Sequence, residues 1–311
     1  MNNKINEKEE LIQAIEKMNI EYMNIKNSKE YLNGKRIDTT INLLKKFKIY
    51  TILKDLLKLR KVNKTLKNGK KENDLNIKGK TFKIHNDSNE KIVIYSCITG
   101  KYDNIQDPFI IQDNVNYVLY TDNKDIKSDI WEIRNIPENI KKFKNPILIN
   151  RYIKMHPKEL FCEYDYSFYI DGNVKIMSEI TSLISKINQK YGLALHKHRA
   201  RDCAYDEINT CIFLKRGNVK QLEKAKSIFE ESKFPTKYGL LECNLILTDL
   251  KNKKANEILD LWWKEFLNSD CYRDQIFFPY VLWKNCISID NIATLGNNIY
   301  KNGKLRIENH N

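Results

Sequence analysis

Short apolar runs alternate with helical patterns along the last two-thirds of the chain. Runs rich in β-branched and aromatic residues predict strands at 91–98, 115–122, 130–136, 166–171, 192–198 and 244–249. Apolar positions at helical spacing predict helices at 145–157, 179–191, 218–232, 254–268 and 274–284. Strands that alternate with helices are typical of an α/β fold with a mostly parallel central sheet flanked by helices.

The first 90 residues follow a different pattern. Residues 11–23 predict a helix, whereas residues 63–90 are polar without a clear period and predict a linker. Between them lies a basic segment with apolar residues on one helical face, at Ile49, Ile52, Leu53 and Leu56. The sequence therefore predicts a basic helical extension and linker at 1–90, an α/β domain at 91–300 and a polar tail at 301–311.

Positive charge is concentrated in the extension. Of the net charge of +14, the first 90 residues carry +9, from 21 Lys/Arg against 12 Asp/Glu. A basic amphipathic helix can lie on an anionic membrane surface, so we expect such contact through residues 41–71. The alternative is a helix that packs on the α/β domain and exposes its basic side to solvent. The segment has no RNA-binding block, so nucleic acid is not an expected partner.

Cysteine usage and hydropathy bear on the compartment. The seven cysteines are odd in number, scattered and without a CxxC pair, which is typical of reduced thiols. No apolar run reaches the length of about 18 residues that a membrane-spanning helix needs. The first residues contain no apolar signal-peptide core. The sequence therefore predicts a cytoplasmic protein. If the basic segment contacts a membrane, the protein is expected to attach peripherally to its inner face.

Polar residues follow three of the predicted strands. Residues 99–103 follow the first strand, Asp122 ends the second, and Asp171, Gly172 and Asn173 follow the run YSFYI. Ligands of open parallel sheets bind beyond the carboxyl ends of the strands. We therefore expect these three groups to lie along one edge of the sheet and to form the binding site.

Motifs for several other chemistries are missing from the sequence. No GxGxxG follows the first strand, and GxxxxGK[ST], GxSxG and HExxH do not occur. What remains is the strand end with Asp171 and Asn173, whose carboxylate and amide oxygens are hard donors suited to Mg²⁺ or Mn²⁺. The same triplet also makes ordinary turns, so the pattern by itself is weak evidence for a metal site.

Five blocks, in order, resemble a glycosyltransferase-like family that includes plant mucilage-pectin proteins and bacterial homologues. The blocks are YSCITGKYDNI (95–105), NRYIKMHPKELF (150–161), FYIDGNVKI (168–176), HRARDCAYDEI (198–208) and YRDQIFFPYVLWK (272–284). The resemblance implies a GT-A-type fold, in which an α/β sheet binds a nucleotide sugar and a D-x-D-like strand end binds a divalent metal.

The resemblance also implies roles for individual residues. Asp171 and Asn173 stand at the family's metal and diphosphate site, with Mn²⁺ or Mg²⁺ as the cofactor, although the second position is an amide here. Binding of the nucleotide sugar is expected from Gly100, Tyr102, Asp103, Asp122, Arg151, Lys154 and His156. Catalytic roles are implied for Asp274, near the acceptor hydroxyl, and for His198 and Arg201.

The leading interpretation is a glycosyltransferase that moves a sugar from a nucleotide-diphospho-sugar donor to a glycan or other hydroxyl acceptor. Surface polysaccharide or glycoconjugate synthesis would be its setting. One alternative is a metal-dependent hydrolase, in which the strand-end acid and the histidines activate water. The other is a membrane-associated adaptor without catalytic activity. The sequence does not distinguish retention from inversion at the transferred sugar.

Overall fold

A computed structural model describes residues 2–28, 81–85, 89–100 and 102–308. The chain divides into two compact units, Met1–Lys80 and Thr81–Asn311. In the first unit, helix α1 (Asn2–Lys26) contains the predicted helix at 11–23, whereas the basic segment expected to contact a membrane, residues 41–71, lies outside the described residues. No helix in the described part of the chain is long and apolar enough to cross a membrane.

A six-stranded sheet forms the centre of the second unit, in the order β5-β4-β2-β6-β9-β8. Its strands are β2 (Ile92–Ile98), β4 (Val115–Thr121), β5 (Glu132–Asn135), β6 (Tyr166–Ile170), β8 (Leu193–Lys197) and β9 (Leu241–Asp249). Strands β5, β4, β2 and β6 are parallel, and β9 is antiparallel to both of its neighbours. The predicted mostly parallel sheet is therefore confirmed.

Both faces of the sheet are covered at its centre, which explains why the central strands β2 and β6 are mostly apolar. All seven residues of β2 are buried. Tyr95 and Tyr169 face one apolar cluster together with Trp262, and Ile94 and Phe168 face the other. The second cluster includes Ile299 and Leu305, so part of the C-terminal segment belongs to the core of this unit.

Seven α-helices flank the sheet in the described part of this unit. They are α2 (Glu138–Lys141), α3 (Pro146–Met155), α4 (Pro157–Leu160), α5 (Ala204–Phe213), α6 (Val219–Glu231), α7 (Lys253–Ser269) and α8 (Asp274–Lys284). Side chains of Asn145, Asn218 and Asn252 accept hydrogen bonds from the first turns of α3, α6 and α7, which fixes where these helices begin.

The helix predicted at 179–191 is wrong. The structure has only a 3₁₀ segment there, Thr181–Lys186. The Glu179 carboxylate accepts hydrogen bonds from the backbone and hydroxyl of Ser182, and the chain turns at Gly192 with φ of +63°. These local bonds compete with a regular helix and end it early. Helix α5, which carries the block at 198–208, was not among the predicted helices.

Two short strand pairs lie beside the main sheet. Strand β1 (Phe82–Ile84) pairs with β3 (Ile110–Gln112) in parallel, and β7 (Val174–Ile176) pairs with β10 (Leu305–Ile307) in antiparallel orientation. The segment that the sequence assigns to a polar tail therefore returns to the strand that follows Asp-Gly-Asn. This pairing brings the C-terminal segment next to the candidate site.

Candidate active site

Asp171 lies directly after β6, at the carboxyl end of the parallel strands. Its backbone N–H donates to the carbonyl of Asn244 on β9, 3.0 Å away. The Tyr169 hydroxyl donates to Asp171 Oδ1 at 2.9 Å, and Lys154 Nζ lies 3.9 Å from the same oxygen. The Asp171 side chain is 35% exposed. The contacts with Tyr169 and Lys154 thus orient the carboxylate, which remains partly exposed to solvent.

Next to Asp171 lies a buried ionic cluster, which consists of Lys154, Asp274 and Arg151. Lys154 Nζ donates to Asp274 Oδ2 at 2.7 Å, and Arg151 Nε lies 3.1 Å from Asp274 Oδ1. Lys154 is only 2% exposed and also lies over the Tyr169 ring, 5.0 Å from its centroid. One ammonium group therefore faces two carboxylates, Asp274 at hydrogen-bond distance and Asp171 farther away.

The ionic cluster controls the protonation of Asp274. Burial alone would raise the pKa of this carboxyl group, but the charges of Arg151 and Lys154 outweigh burial and hold the pKa well below its ordinary value of 3.8. Burial opposes the charge of Arg151 as well, yet the nearby Asp274 carboxylate raises the pKa of its guanidinium. Asp274 and Arg151 are therefore both charged near neutral pH.

Helices α3 and α8 hold this cluster in place. Helix α3 runs antiparallel to β2, with contacts from Thr99 Oγ1 to the Pro146 carbonyl, from Asn150 Nδ2 to the Cys97 carbonyl and from Tyr95 to the Lys154 carbonyl. Helix α8 begins at Asp274, whose backbone carbonyl accepts a hydrogen bond from Trp262 Nε1 at 2.9 Å. The ionic cluster thus joins two elements that are distant in sequence.

The loop after β2 forms a second part of the same edge. Gly100 has φ of +67°, and its N–H donates to both carboxylate oxygens of Asp122 at 3.1 Å. Asp103 is buried, and a Cβ built on Gly172 would lie 3.3 Å from the Asp103 Cβ. Tyr102 is 65% exposed. The structure therefore brings Gly100, Asp103 and Asp122 to the edge that carries Asp171.

Asn173 is held by the C-terminal segment. Its Nδ2 donates to the Glu308 carbonyl at 3.1 Å, and the Glu308 N–H donates to the Asn173 carbonyl at 2.8 Å. Asn173 is 9% exposed. Glu308 directly follows β10, so these two bonds continue the pairing of β10 with β7.

A second polar cluster lies where β8 ends and α5 begins. His198 Nε2 is 4.0 Å from a carboxylate oxygen of Glu207 and 4.0 Å from one of Glu242. Arg201 Nε donates to Glu207 at 2.5 Å, and Arg273 Nη2 lies 3.7 Å from the other Glu207 oxygen. Because Arg273 directly precedes Asp274, this cluster and the ionic cluster meet at the start of α8.

Burial sets the protonation states in the second cluster. Burial lowers the pKa of His198 to about 4, so the imidazole is neutral near pH 7. Its Nδ1 accepts the Arg201 backbone N–H at 3.0 Å, and its Nε2 lies 3.5 Å from Arg201 Nη2. Burial also raises the pKa of Glu242 above its ordinary value of 4.5. Glu242 is therefore a stronger base than an exposed glutamate.

His156 does not join the other predicted site residues. It lies at the end of α3, beyond the residue that contacts Tyr95, and therefore away from the carboxyl end of β2. Its ring stacks on Tyr152 at 3.9 Å between centroids, and its Nε2 lies 3.9 Å from Asp260. This placement favours a packing role for His156 over contact with a nucleotide.

At the strand end around Asp171, the sequence analysis did not predict the contributions of Tyr169, Asn244 and Glu308. Tyr169 precedes Asp171 by two positions, so strand alternation could have placed both on one face. Asn244 and Glu308 reach the site only through strand pairing, which their positions in the sequence do not reveal. Asn244 Oδ1 is buried beside Asp171 and has no hydrogen-bond partner in the described residues.

Oxygen atoms of Asp171 and Asn173 are suitable donors for a divalent ion. Asp171 Oδ1 is bound to Tyr169, which leaves Oδ2, and the bond from Asn173 Nδ2 to Glu308 leaves the amide Oδ1 as an acceptor. The described residues contain no group of three or more His, Cys, Asp or Glu side chains arranged to hold a metal. Mg²⁺ is commonly bound by one or two carboxylates plus substrate phosphates and water, so this pair fits such an ion.

Comparison with known proteins identifies a family. The model of the TOD1/MUCI70, glycosyltransferase-like domain matches residues 61–303, which is most of the chain. The match includes all five sequence blocks and every predicted site residue. Comparison with curated proteins gives no match.

Several solved structures are similar at low identity. The WbbM bifunctional glycosyltransferase is 8% identical, with a TM-score of 0.40, over 70% of this chain and 40% of that chain. Galactosyltransferase LgtC in complex with donor and acceptor sugar analogs is 9% identical, with a TM-score of 0.35, over 60% of this chain and 69% of that chain. Mouse xyloside xylosyltransferase 1 is 6% identical, with a TM-score of 0.38, over 70% of this chain and 85% of that chain.

Proposed function

Because the chain belongs to the TOD1/MUCI70 glycosyltransferase-like family, we propose that it transfers a sugar from a nucleotide-diphospho-sugar donor to a hydroxyl acceptor. The observation that carries the proposal is the arrangement at the sheet edge. A partly exposed carboxylate, Asp171, lies above a buried ammonium group, Lys154, which Asp274 holds in place. Such an arrangement suits a ligand that carries a diphosphate at the carboxyl ends of parallel strands.

On the donor side, Asp171 and Asn173 would hold the diphosphate through a divalent ion, Mn²⁺ or Mg²⁺. When bound, the ion would neutralise charge on the departing nucleoside diphosphate. The positive charges of Lys154 and Arg151 would assist, because the buried Lys154 ammonium group is shielded from solvent and therefore acts strongly on nearby charge. Gly100, Asp103 and Asp122 lie on the same edge and would contact the nucleotide.

On the acceptor side, the geometry supports a change in the role expected for Asp274. Both of its oxygens face cations, and its lowered pKa makes it a weak base. We therefore assign Asp274 to the positioning of Lys154 and Arg151. Glu242, with its raised pKa and its place beside His198, is better suited to accept a proton from the acceptor hydroxyl. His198 and Arg201 would orient the two glutamates.

The setting of the reaction is part of the proposal. A cytoplasmic enzyme attached to the inner face of a membrane through residues 41–71 would meet both soluble nucleotide sugars and lipid-linked acceptors. Surface polysaccharide or glycoconjugate synthesis would use such an arrangement. The basic charge of this segment supports the membrane contact.

Nucleotide binding tests the donor site directly. Isothermal titration calorimetry with uridine and guanosine diphosphates, with and without Mn²⁺, would compare the wild type with Asp171→Asn. The substitution keeps an acceptor for the Tyr169 hydroxyl but removes the charge. Asp270→Asn is a matched control, because Asp270 is exposed in a left-handed cap that asparagine also adopts.

We expect the wild type and Asp270→Asn to bind a nucleoside diphosphate more tightly with Mn²⁺, and Asp171→Asn to lose at least about 10-fold in affinity. Equal binding by Asp171→Asn and the wild type would refute the assignment of Asp171. Failure of the wild type to bind any nucleoside diphosphate would favour the hydrolase or the adaptor.

A further inference from the structure

The hydrogen bonds between Asn173 and the C-terminal segment suggest a reason for the amide in the Asp-Gly-Asn sequence after β6. Asn173 Nδ2 donates to the Glu308 carbonyl, and the Glu308 N–H donates to the Asn173 carbonyl. Both bonds extend the antiparallel pairing in which Ile307 lies opposite Val174. The amide side chain is therefore joined to the last described residue of the chain.

An amide, unlike a carboxylate, can make this connection while it keeps an oxygen for a ligand. An ionised aspartate has acceptors but no donor, so at position 173 it would place a carboxylate against the Glu308 carbonyl oxygen. Asparagine donates through Nδ2 and still presents Oδ1 as an acceptor. The burial of Asn173, at 9% exposure, would make an unpaired carboxylate still more costly there.

The C-terminal strand is well placed to anchor the loop. Leu305 of β10 is fully buried in the same apolar cluster as Val174 and Ile176 of β7. This packing holds β10 against β7, and the Glu308 backbone extends from it to Asn173. The strand end at Asp171 is thus held by β6 on one side and by the C-terminal segment on the other.

We propose that residues 305–308 are a positioning element of the donor site and act through Asn173. This inference rests on the proposed function, since it takes the Asn173 Oδ1 as one of the atoms that hold the donor diphosphate. Asn173 is accordingly not a weakened form of a second aspartate. The amide supplies the donor that the C-terminal segment accepts, and it keeps one oxygen acceptor for a ligand.

Asn173→Asp is the decisive variant, because it creates the two-carboxylate Asp-x-Asp pattern. We expect the donor KM to rise about 10-fold with a smaller change in kcat. The loop would lose its hydrogen bond to the C-terminal segment, whereas the groups that take part in the reaction would be unchanged. Amide hydrogen exchange should also become faster at residues 305–308. Asn218→Asp is the matched control, because Asn218 uses only its oxygen, as a cap for α6, and aspartate supplies the same acceptor.

A second pair of variants tests the backbone bond without touching Asn173. Glu308→Pro removes the N–H that is donated to the Asn173 carbonyl, whereas Glu308→Ala keeps it. We expect Glu308→Pro to raise the donor KM about 5-fold relative to Glu308→Ala, which corresponds to the loss of one ordinary hydrogen bond.

Two results would overturn the inference. The first is a donor KM for Asn173→Asp equal to or lower than that of the wild type, as expected if a second carboxylate simply improved the site. The second is unchanged hydrogen exchange at 305–308 in Asn173→Asp compared with Asn218→Asp. If the wild type turned over no nucleotide sugar, the proposed function would fail separately, and hydrogen exchange would still decide whether Asn173 anchors the C-terminal segment.

Discussion

At the residue scale, Asp274 is the charge on which the buried ionic cluster depends. Its carboxylate is the partner that Lys154 and Arg151 share at hydrogen-bond or ion-pair distance. Removal of one member of a buried ionic group leaves the remaining charges uncompensated, which is costly in an interior. The position of Asp274 at the start of a helix adds a smaller favourable interaction with the helix dipole.

Asp274→Asn should therefore lower the free energy of unfolding by about 3 kcal/mol near neutral pH. Because the folded-state pKa lies below the ordinary value of 3.8, this stabilisation is fully present above that value and is lost as pH falls through the folded-state pKa. The difference between wild type and Asp274→Asn should be constant from about pH 8 to about pH 5 and shrink below about pH 4. Urea unfolding at several pH values measures it.

Asp290→Asn is the control for this prediction, since it breaks an exposed pair with Lys197 and should cost less than about 1 kcal/mol. A stable Asp274→Asn protein with a large loss of turnover would contradict the positioning role. That outcome would instead support direct contact of Asp274 with the acceptor.

At the element scale, the regular strands and long helices could be predicted from the sequence, whereas the site could be predicted only in part. Buried strands such as β2 appear in the sequence as continuous apolar runs, and amphipathic helices such as α6 appear as apolar positions at helical spacing. The 3₁₀ segment Thr181–Lys186 could not be predicted, because bonds from Glu179 compete with the helical pattern there.

The candidate site divides in the same way. Asp171 could be located because strand ends of a parallel sheet meet at one edge. The hydrogen bond between Lys154 and Asp274 joins residues 120 positions apart, and no local sequence pattern predicts that they meet. His156 matched a sequence block, yet the direction of α3 carries it away from the site. Helix direction and strand pairing are therefore the information that local sequence patterns lack.

At Gly172, the loop between β6 and β7 packs closely against β2. A Cβ at this position would lie 2.8 Å from Ile98 Cγ1 and Cδ1. Gly172→Ala should therefore destabilise the protein by about 1–3 kcal/mol and weaken donor binding, because the loop must shift. Thermal and urea unfolding with a binding isotherm would measure both effects.

A double-mutant cycle isolates the close contact. Ile98→Ala removes both atoms that the new methyl group would meet, so the combined variant should be more stable than the sum of the two single effects predicts. If the changes in unfolding free energy of the two single variants simply add, the methyl group at position 172 does not contact Ile98. That result would refute the steric explanation for the effect of Gly172→Ala.

At the scale of the whole molecule, the basic extension is predicted to attach the enzyme to an anionic surface. Wild-type protein should float with vesicles that contain phosphatidylserine and not with pure phosphatidylcholine, and the flotation should weaken as salt is added. Charge reversal to glutamate at four basic positions should abolish it, at Lys45, Lys46, Lys48 and Lys54.

The control reverses four exposed lysines elsewhere, at Lys220, Lys224, Lys253 and Lys264. Both variants change the net charge equally, so loss of flotation in the first and retention in the second would locate the contact in the extension. Equal loss in both would mean that net charge alone causes binding.

The central claim is that the edge around Asp171 binds and activates a nucleotide-sugar donor. Release of nucleoside diphosphate from a panel of nucleotide sugars, with Mn²⁺ present, tests this claim most directly. We expect release from at least one donor by wild type and Asp270→Asn, and a loss of about 100-fold in Asp171→Asn. Release by Asp171→Asn at the wild-type rate would contradict it.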